Sequence, residues 1–139
     1  MRRSARIDYA CKALLELSLY WPGKDPVQIS TIAKNQHIPM KFLTQILLNL
    51  KQAGYVQSIR GKKGGYILAK SPRKIQLNEL IENLGGAIAD NEQNGHGNGI
   101  MDLIWGEIDA AVVKAMEEIN FEIICDRKRL QDKAFVFQI

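Results

Sequence analysis

The hydrophobic pattern of the chain changes its period at Gly54, and no other feature restricts the possible folds as strongly. Before Gly54, apolar residues recur every three to four positions, as they do in amphipathic helices. After Gly54 they alternate with polar residues, as they do in half-buried strands. The predicted helices cover residues 7–19, 27–35 and 39–53, and the predicted strands cover residues 55–59 and 66–69.

This order of elements is typical of a winged helix-turn-helix domain, a mainly helical α+β fold with a small β-hairpin wing. Residues 36–38, which include His37, form a break between the second and third helices. Pro39 suits the first turn of the third helix, where its missing N–H has no partner to lose. Gly54 is expected in a left-handed conformation at the end of that helix.

The rest of the chain divides at a glycine-rich loop. A fourth short helix at 77–84 completes a predicted DNA-binding domain over residues 1–84. Residues 85–99 hold five of the 11 glycines, which predicts a flexible loop. Residues 100–139 are predicted to form a long helix, then a short helix that Asn120 caps, and a strand or tail at 134–139.

The long helix carries a wide apolar stripe. A helix of this length extends beyond the core of a small domain, and a self-complementary apolar face is most simply buried against a second copy of the chain. We therefore predict a homodimer. The predicted interface consists of Ile104, Ile108, Ala111, Val112, Ala115, Met116 and Ile119.

Charge is divided unevenly along the 139 residues, although the net charge is only +4. Residues 1–74 carry 14 Lys or Arg and 3 acidic residues, whereas residues 75–139 carry 5 Lys or Arg and 12 acidic residues. The net charges are therefore +11 and −7. A basic half of this kind favours a polyanion as its partner, and double-stranded DNA fits the predicted fold.

The sequence gives no sign of a membrane or secreted protein. No run approaches the roughly 18 to 20 apolar residues that span a bilayer. The apolar stretch behind the basic start is interrupted by Asp8, Lys12 and Glu16, so it does not form a secretory leader. We expect a cytoplasmic protein. Cys11 and Cys125 are too few for a disulfide framework and lack the spacing of a zinc site.

Two groups of residues are candidates for DNA contact. Lys41, Thr44 and Gln45 lie on one side of the third helix, and these side chains can hydrogen-bond to base edges. The hairpin tip, residues 60–65, reads Arg60, Gly61, Lys62, Lys63, Gly64 and Gly65. Its three cations suit phosphates or a narrow minor groove, and its glycines allow a close approach of the backbone.

The sequence bears on three functions other than DNA reading. The glycine run lies between two predicted strands, whereas a P-loop connects a strand to a helix, so an enzyme is not expected. A second alternative is binding of nucleic acid through phosphates alone, without base reading. A third is a protein-interaction module, with the acidic half docking a partner enzyme.

Four segments of the sequence resemble the bacterial IscR/NsrR/CymR regulators, which belong to the Rrf family. They read IA, IPMKFLTQIL, LKQAGYV and SIRGKKGGYILA, at residues 32–33, 38–47, 50–56 and 58–69. The resemblance is dense over the first 84 residues and extends to the rest mainly in layout. It implies a homodimeric winged-helix transcription factor, usually a repressor, whose long helices cross to form the dimer.

The resemblance also implies roles for individual residues. Lys41, Phe42, Thr44 and Gln45 would lie in the major groove. Arg60 and the turn from Gly61 to Gly65 would enter the minor groove. Arg2, Arg3 and Arg6 would lie near phosphates.

The chain departs from the cluster-binding members of this family. Those members hold an iron–sulfur cluster through three cysteines in the loop before the long helix, and the loop at 85–99 has none. A cluster would need unusual ligands such as Asp8, which matches a ligand position of the nitric-oxide-sensing branch, His96 or Cys11. We predict no cofactor. The cluster-free branch is regulated through an enzyme, which implies a possible regulatory protein partner.

Overall fold

The computed structural model describes residues 4–86 and 97–138, which form six α-helices and one two-stranded antiparallel hairpin. The predicted fold class, mainly helical with a hairpin wing, is confirmed. The helices are α1 (Ala5–Leu19), α2 (Ile29–Gln36), α3 (Met40–Gln52), α4 (Leu77–Asn83), α5 (Ile100–Glu117) and α6 (Phe121–Gln138). The strands are β1 (Val56–Ile59) and β2 (Gly65–Leu68), and a single 3-10 turn covers Pro72–Lys74.

The break between α2 and α3 is a left-handed turn at His37, whose φ is 54°. Its backbone N–H donates to the carbonyl of Ala33 and so closes the end of α2. Pro39 lies one position before α3, and not in the first turn as predicted, because its carbonyl accepts the first helical hydrogen bonds from Phe42 and Leu43. Gly54 has a φ of +86°, which confirms the predicted left-handed helix end.

Helix α2 begins two residues later than the pattern predicts. Val27 forms an antiparallel bridge with Tyr66 of β2, with N···O distances of 2.8 and 2.9 Å. An apolar residue in a helical pattern therefore extends the hairpin sheet instead. This bridge ties the hairpin to the segment that leads into α2.

One core joins the N-terminal helices to the C-terminal segment. It is built around α1, against which α2, α3, β2 and α6 pack. Its largest fully buried side chains are Tyr55, Phe121, Leu14, Ile32, Leu43, Leu47, Leu50, Ile75 and Leu80. Because Phe121 and Cys125 are buried in it, the first half of α6 belongs to the same core as residues 4–86.

The C-terminal segment differs from the prediction of a short helix followed by a strand or tail. Asn120 does cap it, since its Oδ1 accepts from the N–H of Ile123 at 3.0 Å. The helix then continues for 18 residues to Gln138. The segment has neither Gly nor Pro to stop a helix, and an ion pair between Lys128 and Asp132 spans one turn at 2.8 Å. Among the described residues, no helix is long and apolar enough to cross a membrane.

The hairpin depends on glycine at position 65. A Cβ there would overlap the carbonyl oxygen of Val27 and lie 2.5 Å from its carbonyl carbon, and backbone atoms cannot yield as a side chain does. We expect Gly65→Ala to destabilise the fold by about 1–3 kcal/mol, the usual cost of overpacking. Urea unfolding followed by circular dichroism measures this change.

The control for that substitution is Gly106→Ala. Gly106 lies within α5, where an added Cβ meets nothing within 4 Å, so alanine should stabilise the helix by about 0.5–1 kcal/mol. Equal unfolding midpoints for Gly65→Ala and the unchanged protein would show that the contact with Val27 does not constrain the hairpin.

Candidate nucleic-acid interface

Helix α3 turns one face into the core and the other into solvent. Leu43, Ile46, Leu47 and Leu50 form its buried stripe, as the sequence predicts. This stripe orients the opposite side of the helix outward. The exposed residues there include Lys41, Phe42, Thr44 and Gln45.

The two polar side chains in the middle of this face bond to their own helix. Thr44 Oγ1 donates to the carbonyl of Met40 at 3.0 Å. Gln45 Nε2 donates to Asn49 Oδ1 at 3.1 Å. The bond to Asn49 leaves Gln45 Oε1 and one amide hydrogen unused. When this bond breaks, the whole amide can form two hydrogen bonds with adenine.

Phe42 is held between a second helix and a cation. Its ring stacks on Tyr9 of α1, with the centroids 6.2 Å apart, and Lys41 Nζ lies 4.9 Å from the ring centroid. The side chain is still 48% exposed. Phe42 therefore offers a fixed apolar surface beside the polar residues of α3, suited to contact with a thymine methyl.

Sequence reasoning missed Leu48 and Glu16. Leu48 is 43% exposed on the outward face of α3. Its spacing of four residues from Thr44 was the signal that could have found it.

Glu16 of α1 is only 4% exposed. It accepts hydrogen bonds from Asn35 Nδ2 at 2.8 Å and Gln36 Nε2 at 3.1 Å, and so fixes the end of α2 against α1.

The wing, defined as residues 60–65, presents its cations to solvent. Arg60, Lys62 and Lys63 are all exposed. The ion pairs among the described residues lie on α1 and α6, and none includes a wing cation or Lys41. The wing and the exposed face of α3 therefore carry positive charge that is available to an anionic partner.

The structure gives a reason for glycine at positions 64 and 65 that differs from a close approach to DNA. The sequence predicts that these glycines allow a close approach of the backbone to DNA. In the structure, a Cβ on Gly64 would overlap the carbonyl oxygen of Ile59 and lie 2.9 Å from that of Gly61, and Gly65 faces Val27 in the same way. The turn requires these glycines for its own closure, so they are not in themselves a sign of DNA contact.

The N-terminal arginines are only partly described. Arg2 and Arg3 lie outside the described residues. Arg6 is in α1, and its guanidinium donates to the carbonyl of Leu84 at the end of α4. This contact anchors the guanidinium at the end of α4, and a role of Arg6 near phosphates stays a prediction.

The candidate iron ligands that the structure describes are Asp8 and Cys11, both in α1. No group of three His, Cys, Asp or Glu side chains in the described part of the chain lies close enough to hold a metal ion. Asp8 forms an ion pair with Lys12 at 2.9 Å. Burial, followed by the charge of Asp8, raises the pKa of the Cys11 thiol to about 11, which disfavours the thiolate that iron needs. His96 lies outside the described residues.

Helix α5 places the predicted dimer residues on two different sides. Ile104 and Ile108 are exposed, with Ile108 at 46%. Met116 is only 7% exposed and belongs to the core of its own chain, and Val112 packs against that core. The last turns of α5 therefore pack against the core of the same chain, and the dimer interface stays a prediction. The large apolar residues exposed on α5 are Ile100, Met101, Leu103, Ile104, Trp105 and Ile108, and Ala111 and Ala115 are exposed as well.

A helix-turn-helix pair with an outward polar face, next to a basic wing, defines the class of winged helix-turn-helix DNA-binding proteins. Comparison with known proteins identifies the family. The chain belongs to the Rrf2 family, described as iron-dependent transcriptional regulators, which matches residues 3–127. It is a DNA-binding transcriptional regulator and not an enzyme, and the resemblance seen in the sequence is confirmed.

Individual relatives agree with this assignment. An HTH-type transcriptional regulator of Synechocystis is 32% identical over 125 residues, which cover 86% of this chain and 84% of that protein. The solved structure of CymR, the global cysteine regulator of B. subtilis, superposes with a TM-score of 0.83 at 27% identity, covering 91% of this chain and 98% of CymR. The structure of T. potens IscR gives a TM-score of 0.77 at 26% identity, covering 94% and 91% of the two chains.

The family description names iron, and the residues of this chain do not fit an iron–sulfur cluster. The whole sequence has two cysteines, Cys11 and Cys125, and both lie in helices outside residues 85–99. Cys125 is buried against α1, where desolvation raises the pKa of its thiol above the usual value. Neither thiol is placed to join a set of ligands.

Proposed function

We propose that the protein binds a pseudo-palindromic operator as a homodimer and represses transcription from it. The observation that carries this proposal is the exposed face of α3, where Lys41, Thr44 and Gln45 lie opposite a fully buried stripe. A helix held this firmly can present base-reading side chains to the major groove. Repression itself is what the resemblance to the IscR, NsrR and CymR regulators implies.

The wing supports a second contact with DNA. Arg60, Lys62 and Lys63 extend from the hairpin next to α3, without carboxylate partners among the described residues. Cations on a narrow turn suit the phosphates that border a minor groove. In this proposal α3 supplies sequence readout and the wing supplies affinity.

Dimerisation is supported by the apolar face of α5. The face has no cover within the described residues, and between residues 100 and 108 it includes a tryptophan, Trp105, and five aliphatic or methionine side chains. A second copy of the chain, related by a two-fold axis, would bury this face. The same axis would relate the two half-sites of the operator. Because the proposed ligand is chromosomal DNA, we place the protein in the bacterial cytoplasm.

Operator selection tests the proposed function. The protein is mixed with random duplexes at about 0.15 M salt, and bound duplexes are amplified and sequenced over several rounds. We expect a motif with two-fold symmetry, whose half-sites are about one helical turn apart. Enrichment without any shared motif would show that the protein binds phosphates only, and an asymmetric motif would contradict the dimer.

Lys62→Ala should weaken binding to all DNA sequences by a similar factor. Each phosphate contact contributes about 0.9 to the slope of log affinity against log salt, so the slope should fall by about one per protomer. Fluorescence anisotropy titrations between about 50 and 200 mM salt measure the slope. Lys128→Ala, which removes a cation from α6, is the matched control and should leave the slope unchanged. An unchanged slope for Lys62→Ala would place this residue away from the phosphates.

A regulatory protein partner is a further part of the proposal. The residues of α5 and the start of α6 carry Asp102, Glu107, Asp109, Glu117, Glu118 and Glu122, against a single Lys114. This acidic surface is suited to docking a basic protein surface. Affinity capture with the immobilised protein, in the presence of nuclease, tests the idea. We expect a captured protein that is no longer captured when the charges of Glu117 and Glu118 are reversed. If no captured protein depends on these two charges, the proposal is contradicted.

A further inference from the structure

A groove runs between the start of α1 and the side of α3, next to the residues proposed to read DNA. Its first part has a volume of about 320 Å³ and is lined mainly by apolar atoms, with Tyr9, Phe42 and Ile46 among them. A second part of about 330 Å³ begins at Arg6 and Asn49, which border both, and is lined by polar side chains such as Gln52 and Asn83. Volumes of this size are typical of small-molecule sites.

Arg6 provides the charge of the groove. Among the described residues that line its two parts, it is the single charged side chain and none is a carboxylate. The bond to the carbonyl of Leu84 fixes the guanidinium at the boundary between the apolar and polar parts. No described carboxylate pairs with Arg6. An anionic group is therefore the partner that this position favours.

The apolar part of the groove is bounded by aromatic rings. Tyr9 and Phe42 stack on each other with an interplanar angle of 24°, and together they form one wall. Aromatic rings pack favourably against such walls in offset or edge-to-face arrangements. A ligand with an aromatic ring at one end and a carboxylate at the other thus matches the order of surfaces along the groove.

The groove shares residues with the proposed DNA-reading face. Gln45 and Phe42 line it, and Asn49, which accepts the hydrogen bond from Gln45 at 3.1 Å, lies at its centre. A carboxylate in the groove can accept a hydrogen bond from Asn49 Nδ2, which would turn the amide whose Oδ1 holds Gln45. Occupation of the groove would therefore change the position of Gln45.

We propose that this groove binds a small aromatic carboxylate, whose ring packs against Tyr9 and Phe42 and whose carboxylate pairs with Arg6, and that its binding changes the affinity for DNA. The regulatory part of this inference rests on the proposed function. The ligand-binding part is independent of DNA.

Two probes with the same ring separate the roles of ring and charge. Phenylacetate carries the carboxylate, and 2-phenylethanol replaces it with an uncharged hydroxyl. Titration of the full-length protein, followed by ¹H–¹⁵N chemical shifts, gives both affinities and the residues affected. We expect phenylacetate to bind about tenfold more tightly, which corresponds to about 1.4 kcal/mol, with shifts at Tyr9, Phe42 and Asn49.

Arg6→Gln should abolish this preference, whereas Lys12→Gln, a neutralised cation of the same helix outside the groove, should retain it. Circular dichroism confirms that each variant is folded. Equal affinities for the two probes, absence of binding, or shifts confined to α5 would each overturn the site. If phenylacetate binds but the affinity for the operator does not change, the regulatory role is overturned. If the protein without phenylacetate does not bind DNA, the proposed function is contradicted instead.

Discussion

Ile108→Glu is expected to convert the protein from dimer to monomer and to lower operator affinity at least a hundredfold. Ile108 is nearly half exposed in the single chain and lies on the uncovered apolar face of α5. An unpaired carboxylate enclosed in an apolar interface costs several kcal/mol, so the dimer should dissociate. A monomer binds one half-site and loses the gain from linked binding, which is about 10² to 10⁴.

Sedimentation velocity measures the oligomeric state, and anisotropy with the selected operator measures the affinity. Gly106→Glu is the matched control, because it places the same charge on the opposite side of α5, in open space. It should remain dimeric. Ile108 is a better position for this test than Val112 or Met116. These two residues contact the core of their own chain, so a substitution there could unfold the protein as well as dissociate the dimer. A dimer that persists in Ile108→Glu would show that α5 is not the interface.

Gln45→Ala is expected to cost about 1–3 kcal/mol at one base pair of each half-site and to relax discrimination there. Gln45 is exposed in the second turn of α3, and its amide donates to Asn49 Oδ1 at 3.1 Å in the unbound protein. Binding to operators that carry each of the four base pairs at every position measures the effect.

The control for this substitution is Gln131→Ala, which removes the same side chain from the exposed surface of α6. It should bind every operator as the unchanged protein does. If Gln45→Ala lowers the affinity for all operators equally, Gln45 contacts no base, and the specificity must come from other residues or from DNA shape.

Much of the fold was predictable because its signals are local. Helical periodicity located α1, α3 and α5, alternation located the hairpin, and Gly54 marked a left-handed helix end. The errors concern contacts between distant residues. Val27 reads as helical and instead pairs with Tyr66, and no local pattern reveals a partner 39 positions along the chain. The end of α6 reads as a strand from its composition, but it is helical, and the two strands that the described residues form pair with each other.

The site was predictable to the extent that it follows from helix geometry. Once the stripe from Leu43 to Leu50 was assigned to the core, Lys41, Thr44 and Gln45 had to face outward. Packing decided the rest. The backbone contacts of Gly64 and Gly65, the bonds of Glu16 to α2 and the burial of Met116 all arise where separate elements meet, so spacing alone did not show them.

The most direct test of the central claim is the ratio of affinities for the selected operator and for a scrambled duplex of the same length and composition. Both are measured by anisotropy at about 0.15 M salt with the full-length protein. Sequence-specific reading by α3 predicts a ratio of at least about 10³. Equal affinities for the two duplexes would show that the protein contacts phosphates without reading bases, and would contradict the claim.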